Sequence, residues 1–315
     1  MAEGPPSILV IGGPTASGKS ALAADAARRF GGVVVNADSM QLYRDLPILT
    51  SRPEGALLAR APHRLYGVLD GAERCSAGRW RALAAAEIAR AQAGGALPIL
   101  VGGTGLYLRA LLEGLAPVPR IPEPLRAAVR ALHEQEGSVA LHARLAARDP
   151  EAARRLEPGD SQRVMRAYEV IEATGRSLLA WQAERHDRYA GSAAVLVLEP
   201  PRDALYDACN ERFRRMMAAG ALDEAARLLA RNLDPGLPVM KALGVRALHD
   251  HLAGVTTLER AVELGRQETR RYAKRQTTWF RTQMPGTARM PDRYRAESKR
   301  ESLALVERLL LTGRG

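Results

Sequence analysis

Apolar and polar positions follow two regimes along this chain. Residues 7–11 form a short continuous apolar run ended by Gly12-Gly13, which predicts a strand buried on both faces. Residues 20–30 carry helical spacing and stop at Gly31-Gly32. Residues 33–35 begin a second buried strand that delivers Asn36, Ala37 and Asp38 to its end. An alanine-rich helix is predicted over 80–93 and a third strand over 97–101, followed at once by Gly102-Gly103-Thr104-Gly105. Strand and helix patterns in alternation predict an α/β fold, a parallel sheet covered on both faces.

The second regime starts after about residue 116. Pro117, Pro119, Pro122 and Pro124 make a rigid connector. Residues 125–181 then show helical periodicity without a convincing strand. Residues 193–198 are strand-like again and end at Pro200-Pro201; the pattern is helical from there to about 281, and a loop and terminal helix are expected over 282–315. The organisation expected is an α/β core from residues 1–117 and 193–315, interrupted by a helical insertion at 118–192.

Composition changes this picture in one respect. With 46 Lys+Arg against 35 Asp+Glu, the net charge of +11 favours polyanionic partners, although a solvated basic surface would read the same way. Cys75 and Cys209 are far apart and form no metal-ligand pair, and the histidines lack ligand spacing. No leader pattern and no membrane-length apolar run stand out, so a soluble cytoplasmic protein is expected.

Candidate chemistry begins at the end of the first strand. Gly13-Pro14-Thr15-Ala16-Ser17-Gly18-Lys19-Ser20 matches GxxxxGK[ST] and lies between a strand and a helix, the context a P-loop requires. Its backbone N–H groups and helix N-terminus can cradle phosphate, Lys19 adds a mobile positive charge, and the Ser20 hydroxyl can hold Mg²⁺. Asp38-Ser39-Met40-Gln41 ends the second strand, at the sheet edge where open α/β folds bind ligands. Asp38 suits a general base or a metal ligand equally. Thr104 offers a hydroxyl at the same edge. Near the C-terminus, Arg270, Arg271, Lys274 and Arg275 share faces at a spacing of four, with Trp279 and Phe280 interleaved, a pattern suited to an RNA backbone and a stacked base.

Taken in order, GPTASGKS, DSMQ-LYR, PHRL, LPILVGGTGLYLRALLEGL, DSQRVMRAYEVIEATG, ERFRRMMAAG and TRRYAKRQTTWFR resemble the tRNA dimethylallyltransferase family over nearly the whole chain. The resemblance implies a P-loop NTPase-like core and transfer of a dimethylallyl group from dimethylallyl diphosphate to N6 of adenosine 37 of tRNA. It implies that Gly13 to Ser20 bind the diphosphate and its Mg²⁺, with Ser20 on the metal, Thr15 on the bridging oxygen, Arg212 on the diphosphate and Asp38 as base. It places Asp38, Ser39, Met40, Gln41 and Thr104 at the tRNA base. Arg126, Gln162, Arg163, Val164, Met165 and Arg166 of the insertion, and Lys274, Arg275, Gln276, Trp279 and Arg281 of the basic helix, would contact the rest of the tRNA, with the insertion at the anticodon arm. A monomer without membrane attachment is expected. The chain departs from the family pattern at Leu49-Thr50-Ser51-Arg52-Pro53, at Arg64-Leu65-Tyr66-Gly67 and at Gly244-Val245-Arg246-Ala247. The alternatives are a P-loop small-molecule kinase using ATP, a prenyltransferase acting on free AMP, and an RNA-binding regulator with a degenerate P-loop.

Overall fold

The computed structural model describes residues 7–184 and 188–312. Six parallel strands form one sheet in the order β3-β2-β4-β1-β5-β6. In chain order they are β1 (Ile8–Gly12), β2 (Gly32–Asn36), β3 (His63–Arg64), β4 (Leu97–Gly102), β5 (Ala193–Leu198) and β6 (Ala288–Met290). β1 lies near the middle, with every residue buried, as its unbroken apolar run requires. Register is tight where it matters: Gly12 sits opposite Gly102, and Asn36 opposite Val101. The loops leaving β1, β2 and β4 therefore emerge side by side at one edge.

The helices are α1 (Lys19–Phe30), α2 (Gly55–Leu58), α3 (Ala77–Ala93), α4 (Gly105–Leu112), α5 (Glu123–Arg148), α6 (Pro150–Arg154), α7 (Ser161–Thr174), α8 (Leu178–Ala183), α9 (Arg202–Ala218), α10 (Ala221–Leu229), α11 (Val245–Leu252), α12 (Leu258–Gln283) and α13 (Lys299–Thr312). The chain divides into two compact units: one holds the described residues up to Leu112 and from Tyr189 onward, the other those between Glu113 and Arg188.

In the first unit, one core layer, including Leu9, Leu22, Val34 and Leu196, packs α1 and α13 against the sheet. The other, including Ile8, Leu100, Trp80, Phe213 and Phe280, lies on the opposite face. Trp80 is fully buried, stacks on Tyr107 at 4.7 Å and 13°, and donates its indole N–H to the Asn36 carbonyl at 2.9 Å. The second unit is all helical. α5 is two helical segments joined at Gly137, whose φ of 81° breaks the ladder. Val129, Leu141, Leu145, Val164 and Ala167 form its core. Asp160 caps α7 by accepting the Arg163 N–H.

The two outer strands, β3 and β6, are not expected from the apolar pattern, and neither is α2. At two and three residues, these strands are too short to print a pattern. Among the described residues no helix is long and apolar enough to cross a membrane.

Trp80→Phe keeps most of the buried volume but removes the donor to Asn36, whose own side chain orders the Asp38 turn. We expect a loss of about 1–3 kcal/mol of stability by denaturant unfolding, the cost of an unsatisfied buried acceptor.

Candidate active site

The site is built at the sheet edge of the first unit, from loops that follow β1, β2 and β4 and from α9 and α12. The P-loop leaves β1 at Gly12 and enters α1 at Lys19 through Gly18, in the left-handed region at φ 91°. Ala16 also has a positive φ, 63°. Such a turn points successive N–H groups inward, as an anion cradle needs. Lys19 is only 8% exposed, and its ammonium donates to the Pro14 carbonyl at 3.1 Å. Burial lowers its pKa to about 8, opposed by the attraction of Asp38.

Arg212 on α9 reaches the same loop. Its guanidinium donates to Thr15 Oγ1 at 2.7 Å and to the Thr50 carbonyl at 2.8 Å. Burial holds it below its ordinary value, with Asp38 again opposing. Asp38 thus shares one electrostatic environment with Lys19 and Arg212, and the burial-raised phenols of Tyr66 and Tyr272 feel its charge too. The two groups that the sequence places on separate loops are brought together.

Asp38 is held by its turn. Its N–H donates to Asn36 Oδ1 at 2.8 Å, and its Oδ1 accepts the Met40 N–H at 3.0 Å. Among the described residues this is the only hydrogen bond its carboxylate receives, which leaves it acceptor capacity for a substrate proton. Thr104 is tied to the neighbouring residue, because its Oγ1 accepts the Ser39 N–H at 2.9 Å. Met40 is half-buried beside them.

Three expected RNA contacts are turned inward instead. Gln276 is 5% exposed; its Oε1 accepts the Thr15 N–H at 2.8 Å and its Nε2 donates to the Gly103 carbonyl at 2.9 Å. It ties the P-loop to the glycine-rich loop after β4, and its helical position on the buried face of α12 is the reason. Gln41 is buried and spends its amide on the Thr50 and Ser51 carbonyls. Val164 is fully buried within the helical unit. Trp279 is half-buried, edge-on to Phe280 at 5.3 Å, and lies so close to Gly105 that a Cβ there would overlap the indole. It is a packing residue on at least that face. Arg281 pairs with Glu199.

Lys274 and Arg275 fit the expectation better. Both are exposed, and no carboxylate pairs with them among the described residues; Arg275 lies over the Tyr272 ring at 5.5 Å. In the helical unit, Gln162 and Arg163 are exposed and Met165 half-buried. Arg126 and Arg166 flank Glu169, at 3.8 and 3.5 Å.

Sequence reasoning missed Glu224. It is 1% exposed on α10, and its carboxylate accepts the Ile48 and Leu49 N–H groups, both at 2.7 Å. This fixes the loop whose Thr50 carbonyl meets Arg212. Only a buried acid in a helical pattern hinted at it.

Among the described residues no cluster of His, Cys, Asp or Glu could hold a metal. The donors present are hydroxyls: Ser20 in the first turn of α1, and Ser17, whose Oγ is buried without a hydrogen-bond partner. That set suits a hard cation carried mainly by phosphate oxygens, such as Mg²⁺, and not a softer metal.

The sequence model of the IPP transferase family matches residues 41–283. A curated tRNA dimethylallyltransferase of Rhodospirillum centenum is 59% identical over 290 residues, covering 90% of each chain. That of Rhodospirillum rubrum is 57% identical over 293 residues, covering 92% of this chain and 88% of the relative. A full-length tRNA isopentenylpyrophosphate transferase from Bacillus halodurans superposes with a TM-score of 0.71 at 32% identity, over 99% and 98% of the two chains. A eukaryotic dimethylallyltransferase acting on tRNA superposes with a TM-score of 0.81 at 25% identity, over 98% and 80%. The family match over most of the length and the close relatives agree with the motifs and the edge-of-sheet site: the chain belongs to the IPP transferase family.

Proposed function

We propose that this chain transfers the dimethylallyl group of dimethylallyl diphosphate to N6 of adenosine 37 of tRNA, releasing diphosphate. The observation that carries this reading is one sheet edge holding both a carboxylate, Asp38, and the buried cations Lys19 and Arg212 on or against the P-loop.

The chemistry follows from those groups. The adenine amine is a weak nucleophile because its lone pair is delocalised into the ring. As N6 bonds to the allylic carbon, the carbon–oxygen bond breaks and its electron pair leaves on the diphosphate. Asp38 takes the N6 proton. Lys19, Arg212 and the P-loop N–H groups oppose the charge growing on the leaving group, and the Thr15 hydroxyl would hydrogen-bond its bridging oxygen. Mg²⁺ held by Ser20 would supply further charge neutralisation. Ser39, Met40 and Thr104 border the place where an extruded base would enter.

Lys274 and Arg275 would meet RNA phosphates, and the insertion helices carrying Arg126, Gln162, Arg163, Met165 and Arg166 would grip the anticodon arm. We propose that the chain acts as a monomer. The free cysteines Cys75 and Cys209 suit the reducing cytoplasm. A kinase using ATP would leave the exposed basic pair of α12, Lys274 and Arg275, unexplained.

Incubation with unmodified tRNA, dimethylallyl diphosphate and Mg²⁺, followed by mass analysis of digested nucleosides, should yield isopentenyladenosine. Asp38→Asn should lower turnover by about 10²–10⁴-fold while leaving tRNA affinity intact. Product from free AMP alone, or equal loss of binding and turnover, would count against the assignment.

Lys19 carries a second expectation. A base whose pKa has fallen to about 8 loses its charge as pH rises through that value. Diphosphate affinity should therefore weaken above pH 8, and binding at that pH should take up a proton, read calorimetrically in buffers of different ionisation enthalpy.

The exposed basic pair is tested by salt. Removing one phosphate-binding cation, in Lys274→Ala or in Arg275→Ala, should flatten the slope of log tRNA affinity against log salt by about 0.7–0.9.

A further inference from the structure

We infer that Arg293 is a further diphosphate ligand, presented to the P-loop by a brace that the C-terminal segment makes with α1. The inference rests on the diphosphate reading of the site. Arg293 lies outside the residues matched by the family model.

The brace is explicit. Tyr294 N–H donates to the Ser17 carbonyl at 3.0 Å. Its phenol donates to Asp25 Oδ2 at 2.6 Å, and Asp25, 4% exposed on α1, also takes Lys299 at 2.9 Å and Arg60 at 3.3 Å. The fit is close enough that a Cβ on Gly18 would overlap the Tyr294 carbonyl oxygen. Directly before this anchor, Arg293 Nε donates to the Ala16 carbonyl at 3.0 Å. Two consecutive P-loop carbonyls, those of Ala16 and Ser17, are thus held by two consecutive residues of the C-terminal segment.

The unusual feature is the charge of Arg293. Many other arginines of the first unit have carboxylate partners: Arg214 and Arg215 on Glu211, Arg270 on Glu263, Arg281 and Arg289 on Glu199. Among the described residues, no carboxylate lies within ion-pair distance of Arg293. The charges nearest to it are Arg295 and Arg215, both repulsive, and the Cys209 thiol, which also neighbours Lys19 and Arg212.

This pattern belongs to a small set. Lys19, Arg212 and Arg293 each donate to the P-loop itself, each lack a carboxylate partner, and burial holds each below its ordinary pKa. Arg79, Arg144, Arg148, Arg214 and Arg231, each bonded to a carboxylate, are instead held above. Two of the first three are the cations already assigned to the diphosphate. A half-buried guanidinium with one N–H on the cradle and no counter-charge is completed by an anion in that cradle, and its positive charge is what phosphate oxygens would meet there.

The test uses inorganic diphosphate with Mg²⁺, titrated calorimetrically into the full chain. Arg293→Lys keeps the charge, Arg293→Gln keeps only hydrogen bonding, and thermal melts verify that both are folded. The inference expects Arg293→Gln to weaken diphosphate binding by about tenfold or more and Arg293→Lys to recover most of it, with tRNA affinity unchanged in both. Equal weakening in both variants would reduce Arg293 to part of the brace and overturn the inference, as would affinities matching the parent. If the parent chain itself does not bind diphosphate, the site reading falls and takes this inference with it.

Discussion

Positive charge placed in a low-dielectric setting without a negative partner is unfavourable, and the site depends on keeping it there. Lys19 is almost completely buried, and Arg212 has only neutral oxygens as partners. The fold tolerates this because rigid elements fix each group: β1 and α1 hold the P-loop, and α9 delivers the arginine. On the proposed reading, an arriving dianion or trianion would remove the penalty, and selectivity for diphosphate would follow from protein groups that are electrostatically incomplete by themselves. Asp38 relieves part of that deficit without neutralising it, since it bonds to the Met40 N–H and to neither cation.

The same arrangement separates two tasks that would interfere if shared. In the proposed reaction the carboxylate would have to remain a proton acceptor, so it could not be consumed in an ion pair. The cations must remain donors to phosphate, so they are occupied only by carbonyl and hydroxyl oxygens that a ligand can supplement. Gln276 keeps these compartments in register. Its single amide spans the Thr15 N–H and the Gly103 carbonyl, joining the phosphate side to the loop that carries Thr104, whose hydroxyl in turn orders Ser39 beside Asp38.

How much of this is legible depends on which physical signal each feature leaves in sequence. β1, β2, β4 and β5 are continuous apolar runs, and the pattern places them within a residue or two. β3 and β6 are shorter than any periodicity, and the sheet order has no local signature at all. The P-loop is legible because its glycines and lysine are local. Arg212 is legible only through resemblance to a known family, because an arginine in an amphipathic helix looks the same whether it meets Glu or Thr15. Gln276 and Trp279 sit in a basic stretch, which favours reading them as RNA contacts; their positions on α12 turn one wholly and the other partly inward. Arg293 leaves no sequence signal, since an unpaired charge is defined by what three-dimensional packing withholds.

The loop between Leu46 and Arg52 shows how such a site can tolerate change. Its partners Glu224, Gln41 and Arg212 address only its peptide groups: the N–H groups of Ile48 and Leu49, and the carbonyls of Thr50 and Ser51. Those contacts do not read side-chain identity, but the core does at Leu46 and Leu49, both buried in it, and the Thr50 hydroxyl donates to the Leu46 carbonyl at 2.6 Å. Support through peptide groups is one reason Leu49-Thr50-Ser51-Arg52-Pro53 can depart from the usual family wording while Arg212 still finds the Thr50 carbonyl.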